Sequence, residues 1–148
     1  MNRKYWAFLV VAFLAGCSSL PDVPFYKHDF PQNAFIEPVK NRPYDVVGLV
    51  RTKVDYPTLD PKHEEQELCK NYYNQAVRDL VKMAHDKGAD AVIDVKSVVF
   101  YEGSDKPELH KTPECSDEGD EGQILTQGLA VKWKPIPSPS PSLKPKLR

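Results

Sequence analysis

The 148-residue sequence predicts a small α+β domain in the order β-α-β-β, with one amphipathic helix packed on a short three-stranded sheet. Residues 45–54 alternate between two faces as a strand does, and residues 61–87 place apolar side chains at three- and four-residue steps. Two β-branched runs, 89–101 and 123–134, complete the pattern. A sheet this small buries little apolar surface, so we expect the domain, residues 44–134, to depend on a covalent cross-link.

The first strand is predicted with Val46, Val50 and Val54 on one face and Leu49 and Arg51 on the other. It must lie beside one of the later strands, with the helix as the connection. If those two strands are parallel, the crossover is expected to be right-handed.

The helix has recognisable ends in the sequence. Asp60 suits the N-cap, and Pro61 suits the first helical position. Gly88 can adopt the left-handed conformation that ends a helix. The predicted apolar stripe consists of Cys69, Tyr72, Tyr73, Ala76, Val77, Leu80, Met83 and Ala84, and the residues off that stripe include Lys70, Asn74, Arg78, Lys82 and Asp86.

The two later strands are expected to pair antiparallel. In the first of them, Ala91, Ile93, Val95 and Ser97 are predicted to share a face. Residues 102–121 between the strands carry eight acidic residues against two lysines and are predicted to be irregular. The last strand is predicted to place Leu125, Leu129, Val131 and Trp133 on one face.

Both flanks of the domain are predicted to lack regular structure. Ten of the fourteen prolines lie outside residues 44–134. Residues 17–43 are predicted to form an extended tether, although the aromatic residues between its prolines would also suit a segment that docks into a partner's groove. Residues 135–148 are predicted to form a disordered, basic tail rich in proline and serine.

The N-terminus has the layout of a secretory signal in residues 1–16. Arg3 and Lys4 precede an apolar run that is too short to span a bilayer, and Leu14-Ala15-Gly16-Cys17 closes it. This ending resembles the lipobox of bacterial lipoproteins. The resemblance implies that Cys17 is acylated and becomes the new N-terminus; the alternative is an ordinary secretory signal followed by a chance cysteine.

Ser18, which follows the predicted acylated cysteine, indicates the membrane in which the protein is anchored. In the lipoproteins that this motif resembles, an aspartate at that position retains the protein in the inner membrane, so Ser18 implies an anchor in the outer membrane facing the periplasm. Residues 18–43, fully extended, would span at most about 90 Å.

Two cysteines remain after acylation of Cys17, namely Cys69 and Cys115. In an oxidising compartment an even pair is expected to form one disulfide, with two free thiols as the alternative. The cross-link would stabilise the fold by about 4 kcal/mol through loss of chain entropy in the unfolded state.

Short motifs within the domain resemble known families. Gly88-Ala89-Asp90-Ala91-Val92, which follows the helix, is similar to a signature of YbjQ-type small domains, and residues 128–131 resemble their closing strand. Together with the lipobox and the cysteine positions, the chain resembles RcsF-type outer-membrane lipoproteins. That resemblance implies a role in reporting envelope stress. The RcsF-type domains carry two disulfides, whereas this mature chain can form only one.

YbjQ-type domains are described as heavy-metal binding, so this resemblance points to His63, His85 and His110 as candidate ligands. No pair of histidines or cysteines has a ligand spacing such as Cys-x-x-Cys. The acidic run 114–121 lacks the spacing of a calcium loop. We therefore expect neither a metal site nor a cofactor.

The residue types of a catalytic triad occur at Ser97, Ser104 and His110. None of them lies in a nucleophile-elbow motif or another known catalytic context, so we expect no enzymatic activity.

The charge is nearly balanced, with a formal net charge of −1, which gives no reason to expect nucleic-acid binding.

Taken together, the lipobox and the family resemblance predict a lipid-anchored periplasmic protein of the outer membrane that binds envelope proteins, either outer-membrane assembly machinery or an inner-membrane signalling protein. The alternative is an accessory lipoprotein that contacts peptidoglycan, porins or lipopolysaccharide without signalling. The oligomeric state is left open.

Overall fold

The computed structural model describes residues 24–138. One helix packs on one face of an antiparallel sheet, which confirms the predicted α+β class. The elements in chain order are β1 (Tyr44–Pro57), α1 (Glu65–Asp86), β2 (Ala91–Val99), β3 (Glu108–His110), β4 (Ser116–Glu118) and β5 (Glu121–Trp133). The sheet has five strands rather than the predicted three, because the acidic connection between β2 and β5 supplies two short strands of its own.

Strand β5 lies at the centre of the sheet, whose order is β1-β5-β2-β3, with β4 also paired to β5. The antiparallel pairing of β2 with β5 is confirmed. Strand β1 also pairs antiparallel with β5, from Tyr44 opposite Trp133 to Pro57 opposite Glu121. No parallel crossover between these long strands is therefore needed.

A bulge in β2 changes the predicted side-chain pattern. Asp94 has φ of +52° and adds one residue to β2 relative to β5. Because one extra residue reverses the alternation of faces, Val95 packs with the helix whereas Ala91 and Ile93 pack on the opposite side. The prediction that Ala91, Ile93, Val95 and Ser97 share one face is wrong for this reason.

A second bulge separates Val46 from Gly48 in β1. Val50 and Val54 lie in the core beneath the helix, but Val46 is 57% exposed. The predicted common face of β1 therefore holds only beyond the bulge. The predicted face of β5 is found, with Leu129 and Val131 packed together on the side away from α1.

The helix ends where the sequence predicts but begins later. Gly88 has φ of +83°, and its N–H donates to the carbonyl of His85 at 2.9 Å. At the other end, Glu64 is the N-cap and makes no side-chain cap bond. Asp60 is not the N-cap, because its carboxylate accepts the N–H of Lys62 at 2.8 Å and closes a separate turn.

The core lies between α1 and the sheet. Two apolar stripes meet there, one from the helix and one from alternate residues of the strands. Its buried members include Val50, Val54, Tyr73, Ala76, Val77, Leu80, Ala84, Val92, Val95, Ile124 and Ala130.

Residues 24–43, which we call the strap, pack against the domain. Ala34 is buried and forms a parallel bridge with Val92. The N–H of Phe35 donates to the carbonyl of Val92 at 2.9 Å, and the N–H of Val95 donates to the carbonyl of Phe35 at 3.1 Å. The strap thus covers the outer edge of β2 ahead of β3. The predicted tether of residues 17–43 is corrected accordingly: its described part belongs to the folded unit, and residues 17–23 lie outside the described residues.

Candidate functional site

A groove of about 570 Å³ runs between the strap and the C-terminal half of α1. The strap forms one wall and the exposed side of the helix forms the other. Its lining consists of Asp29, Phe30, Pro31, Gln32, Asn33, Arg78, Val81, Lys82 and His85. We call this feature the cationic groove.

The helical wall carries the charge of the cationic groove. Arg78, Lys82 and His85 occupy positions i, i+4 and i+7, which places all three on one side of a helix with 3.6 residues per turn. All three side chains are exposed. Val81, which is half-buried and packs on the core, lies between them.

Two asparagines of α1 hold the strap in place. The Oδ1 of Asn71 accepts the N–H of His28 at 2.6 Å, and its Nδ2 donates to the carbonyl of Tyr26 at 2.9 Å. Asn74 donates to the carbonyl of His28 at 2.8 Å. Further along, Phe30 packs partly buried against the core. These contacts satisfy backbone groups of the strap and set the wall of the cationic groove opposite the helix.

The other end of α1 is joined to the acidic connection by the predicted disulfide. Cys69 and Cys115 are bonded, with their Cα atoms 5.9 Å apart. A shallow cleft beside the disulfide includes Glu64, Glu65 and Glu114 in its lining.

Two tyrosines pack close to this cleft. The rings of Tyr56 and Tyr72 stack with centroids 4.6 Å apart. Burial, and to a smaller extent the nearby carboxylate of Asp117, raises the pKa of Tyr56 to about 12. This end of the molecule is therefore built from packed aromatic rings beneath a surface of carboxylates.

The strap starts at the same end of the molecule as the disulfide. The ring of Phe25 stacks on His63 with centroids 3.9 Å apart, and His63 contacts Asp60 at 2.8 Å. The backbone N–H of Lys62, followed by His63, holds the pKa of Asp60 below its ordinary value. The strap therefore begins next to the N-terminal end of α1.

The three histidines singled out from the sequence lie apart. His63 lies in the turn before α1, His85 lines the cationic groove, and His110 lies on β3. The Nε2 atom of His110 is buried without a hydrogen bond and lies 3.7 Å from the carboxylate of Glu108. Within residues 24–138, no three histidine, cysteine or acidic side chains come together as metal ligands would.

The two serines considered as nucleophiles have structural partners. Ser97 is directly opposite His110 in the β2–β3 pair, but its hydroxyl donates to the carbonyl of Thr112 at 2.9 Å and accepts the N–H of Glu114 at 3.1 Å. The hydroxyl of Ser104 donates to the carbonyl of Lys106 at 2.9 Å. Ser97 thus anchors the connection that carries Cys115.

Sequence reasoning placed Arg78 and Lys82 on the polar side of the helix and gave them no role. Their spacing was a usable signal, since it put two cations one turn apart. The opposite wall gave no such signal, because the strap resembled a simple tether. The predicted lipidation residue, Cys17, lies outside the described residues. Within residues 24–138, no helix has both the length and the apolar character needed to cross a membrane.

No family model matches the chain, and no curated protein matches it. A crystal structure of a protein of unknown function from Pediococcus pentosaceus, described as belonging to the DUF74 family, is similar with a TM-score of 0.46 and 14% sequence identity. The similarity covers 68% of this chain and 96% of that chain.

Proposed function

We propose that the protein is a lipid-anchored periplasmic protein of the outer membrane that acts by binding other envelope proteins. The observation that carries the proposal is the sequence Leu14-Ala15-Gly16-Cys17 at the end of a signal-like N-terminus. The thiol of Cys17 is the group that receives the lipid in lipoproteins of this kind. Ser18, in place of aspartate, supports the outer membrane as the destination.

The packing of the strap supports a short reach from the membrane. If Cys17 is the anchored residue, seven Cα–Cα steps separate it from Pro24, which corresponds to at most about 25 Å. This replaces the reach of about 90 Å that a free tether would give. A domain held this close meets partners at the periplasmic side of the outer membrane, such as its assembly machinery, more readily than partners in the inner membrane.

Binding without catalysis fits the described surface. The hydroxyls of Ser97 and Ser104 are hydrogen-bonded to backbone carbonyls. The cationic groove, in contrast, presents exposed charged side chains beside the apolar Phe30 and Val81. A change in the occupancy of such a groove is a means by which the protein would report envelope stress, as the resemblance to RcsF-type lipoproteins implies.

The anchor is tested by mass spectrometry of the protein purified from its native membranes. We expect an N-terminal Cys17 bearing diacylglycerol, and we expect a Cys17→Ala variant to lose this mass and leave the membrane fraction. An unmodified Cys17, or a variant that stays membrane-bound, would overturn the proposal.

The partner is tested by photo-crosslinking in living cells. A photoreactive residue is placed at Val81 in the cationic groove, with a matched control at exposed Lys53 on β1. Adducts with an outer-membrane protein from Val81 but not Lys53 would support the proposal. Adducts with peptidoglycan alone would instead favour an accessory structural role.

A further inference from the structure

The two strong cations of the cationic groove have no ion-pair partner in the described part of the chain. The ion pairs of residues 24–138 involve other basic residues, among them Lys53, Lys96, Lys111 and Lys134. Both side chains are exposed and line the cationic groove, so they are available to a bound anion.

The groove also has an apolar component and a defined length. Phe30 of the strap and Val81 of the helix lie on opposite walls, and both are only partly buried. The helix rises about 6 Å from Arg78 to Lys82 at 1.5 Å per residue. In an extended peptide, side chains at positions 1 and 3 point the same way and are about 6.6 Å apart.

The charges on the two walls differ. The helical wall carries Arg78 and Lys82, whereas the strap wall contributes Asp29. A carboxylate is therefore attracted to the helix and repelled from the strap. An extended chain that directs acidic side chains to α1 would turn its intervening side chain towards Phe30, where an apolar group is favoured.

From this match we infer that the cationic groove binds an extended acidic segment of a partner protein, with two carboxylates at alternate positions and an apolar side chain between them. The inference deepens the proposed function and rests on it for the cellular setting. Arg78 would receive one carboxylate in bidentate fashion, and Lys82 would receive the next as a point charge.

Segments of this chain are less suitable occupants. The C-terminal tail carries Lys144, Lys146 and Arg148 and no acidic residue. It therefore has the same positive charge as the helical wall of the groove and is repelled by it. The acidic run around Asp117 and Glu118 follows Cys115, which is bonded to Cys69, about 20 Å along the helix from Lys82. That run would reach the groove only from a second copy of the chain.

The experiment is an NMR titration of the full mature chain carrying Cys17→Ser, which has no lipid. The ligand is the pentapeptide glycine-aspartate-leucine-aspartate-glycine, and the comparison peptide has lysine in place of aspartate. We expect the acidic peptide to bind with Kd below about 1 mM and to shift the amide signals of residues 29, 30, 32, 33 and 78–85. Affinity should fall as salt is raised, because the contacts are exposed charges.

Charge reversal gives the control. The double variant Arg78→Glu and Lys82→Glu should lose the acidic peptide by about tenfold or more and gain the lysine peptide. The matched variant Lys40→Glu and Lys132→Glu makes the same change in net charge outside the groove and should bind like the parent protein. Equal losses in both variants, or no binding below about 1 mM, would overturn the inference.

Self-association is a further decisive outcome. Sedimentation that shows dimers of the parent chain, abolished by Arg78→Glu and Lys82→Glu, would overturn the inference by assigning the groove to a second copy. Because the titrated protein carries no lipid, these results do not depend on acylation. Failure of the Cys17 experiment would leave the peptide result intact, and the reverse also holds.

Discussion

Replacement of Asn71 by leucine tests whether the strap belongs to the folded unit. Asn71 is only 6% exposed, and its amide makes two hydrogen bonds to the strap backbone, at His28 and Tyr26. Leucine has a similar size but can make neither bond. At about 0.5–1.5 kcal/mol for each bond, the substitution should lower the free energy of unfolding by about 1–3 kcal/mol. The upper end applies if the strap groups stay buried without partners.

The assay is urea unfolding with the disulfide intact, combined with amide hydrogen exchange. In the Asn71→Leu variant, the N–H of His28 should exchange much faster than in the parent chain. If the strap detaches as a unit, the N–H of Phe35, which bonds to Val92 at 2.9 Å, should also lose protection. Exchange faster at His28 alone would mean that only the first part of the strap opens.

Two variants calibrate this result. Asn74→Ala removes a single bond, to the carbonyl of His28 at 2.8 Å, and should cost about half as much. Asp79→Ala changes an exposed residue of the same helix and should leave stability within about 0.5 kcal/mol. An Asn71→Leu protein with the parent's urea midpoint and a protected His28 amide would refute the described role of the strap.

Three other substitutions test the packing of the domain. Serine at both Cys69 and Cys115 should lower the free energy of unfolding by about 4 kcal/mol relative to the disulfide-bonded parent in a denaturant titration, and should match the reduced parent. Gly128→Ala should cost about 1–3 kcal/mol because its Cβ would collide with the Val92 side chain, whereas Gly48→Ala, with nothing within 4 Å, is the matched control; equal thermal shifts would contradict this. Tyr73→Phe should stabilise the protein by about 1 kcal/mol, because the buried Tyr73 hydroxyl has no hydrogen-bond partner. Burial raises the pKa of Tyr73 from 10.0 to about 12. The neutral hydroxyl therefore contributes stability that is fully present below pH 10 and is lost as the pH rises to about 12. The phenylalanine variant should lose less stability in an alkaline titration.

The predictability of the elements follows from how local their signals are. The helix end at Gly88 and the two long later strands could be predicted because the relevant residues are neighbours in sequence. The predicted start of the helix was wrong because the carboxylate of Asp60 accepts the nearby N–H of Lys62 instead of capping the helix. The two short strands within the acidic connection were missed because their pairing depends on β2 and β5 rather than on their own composition.

The cationic groove was only half predictable. The basic residues Arg78 and Lys82 were visible on the polar side of the helix, but a surface becomes a groove only when a second wall is present. That wall is the strap, which looked like a tether because its prolines prevent regular structure. Prolines exclude helix and central strand, yet they do not prevent an extended chain from docking.

The sequence by itself determined the α+β class, the pair of cysteines available for a disulfide and the signal-like N-terminus that ends at Cys17. Only the tertiary structure decided that the strap packs on α1, that a bulge at Asp94 reverses the faces of β2, and that Arg78 and Lys82 line a groove. The physical reason is distance along the chain. The bonds of Asn71 to the strap join residues 43 and 45 positions apart, and such contacts form only after the helix and sheet have brought those segments together.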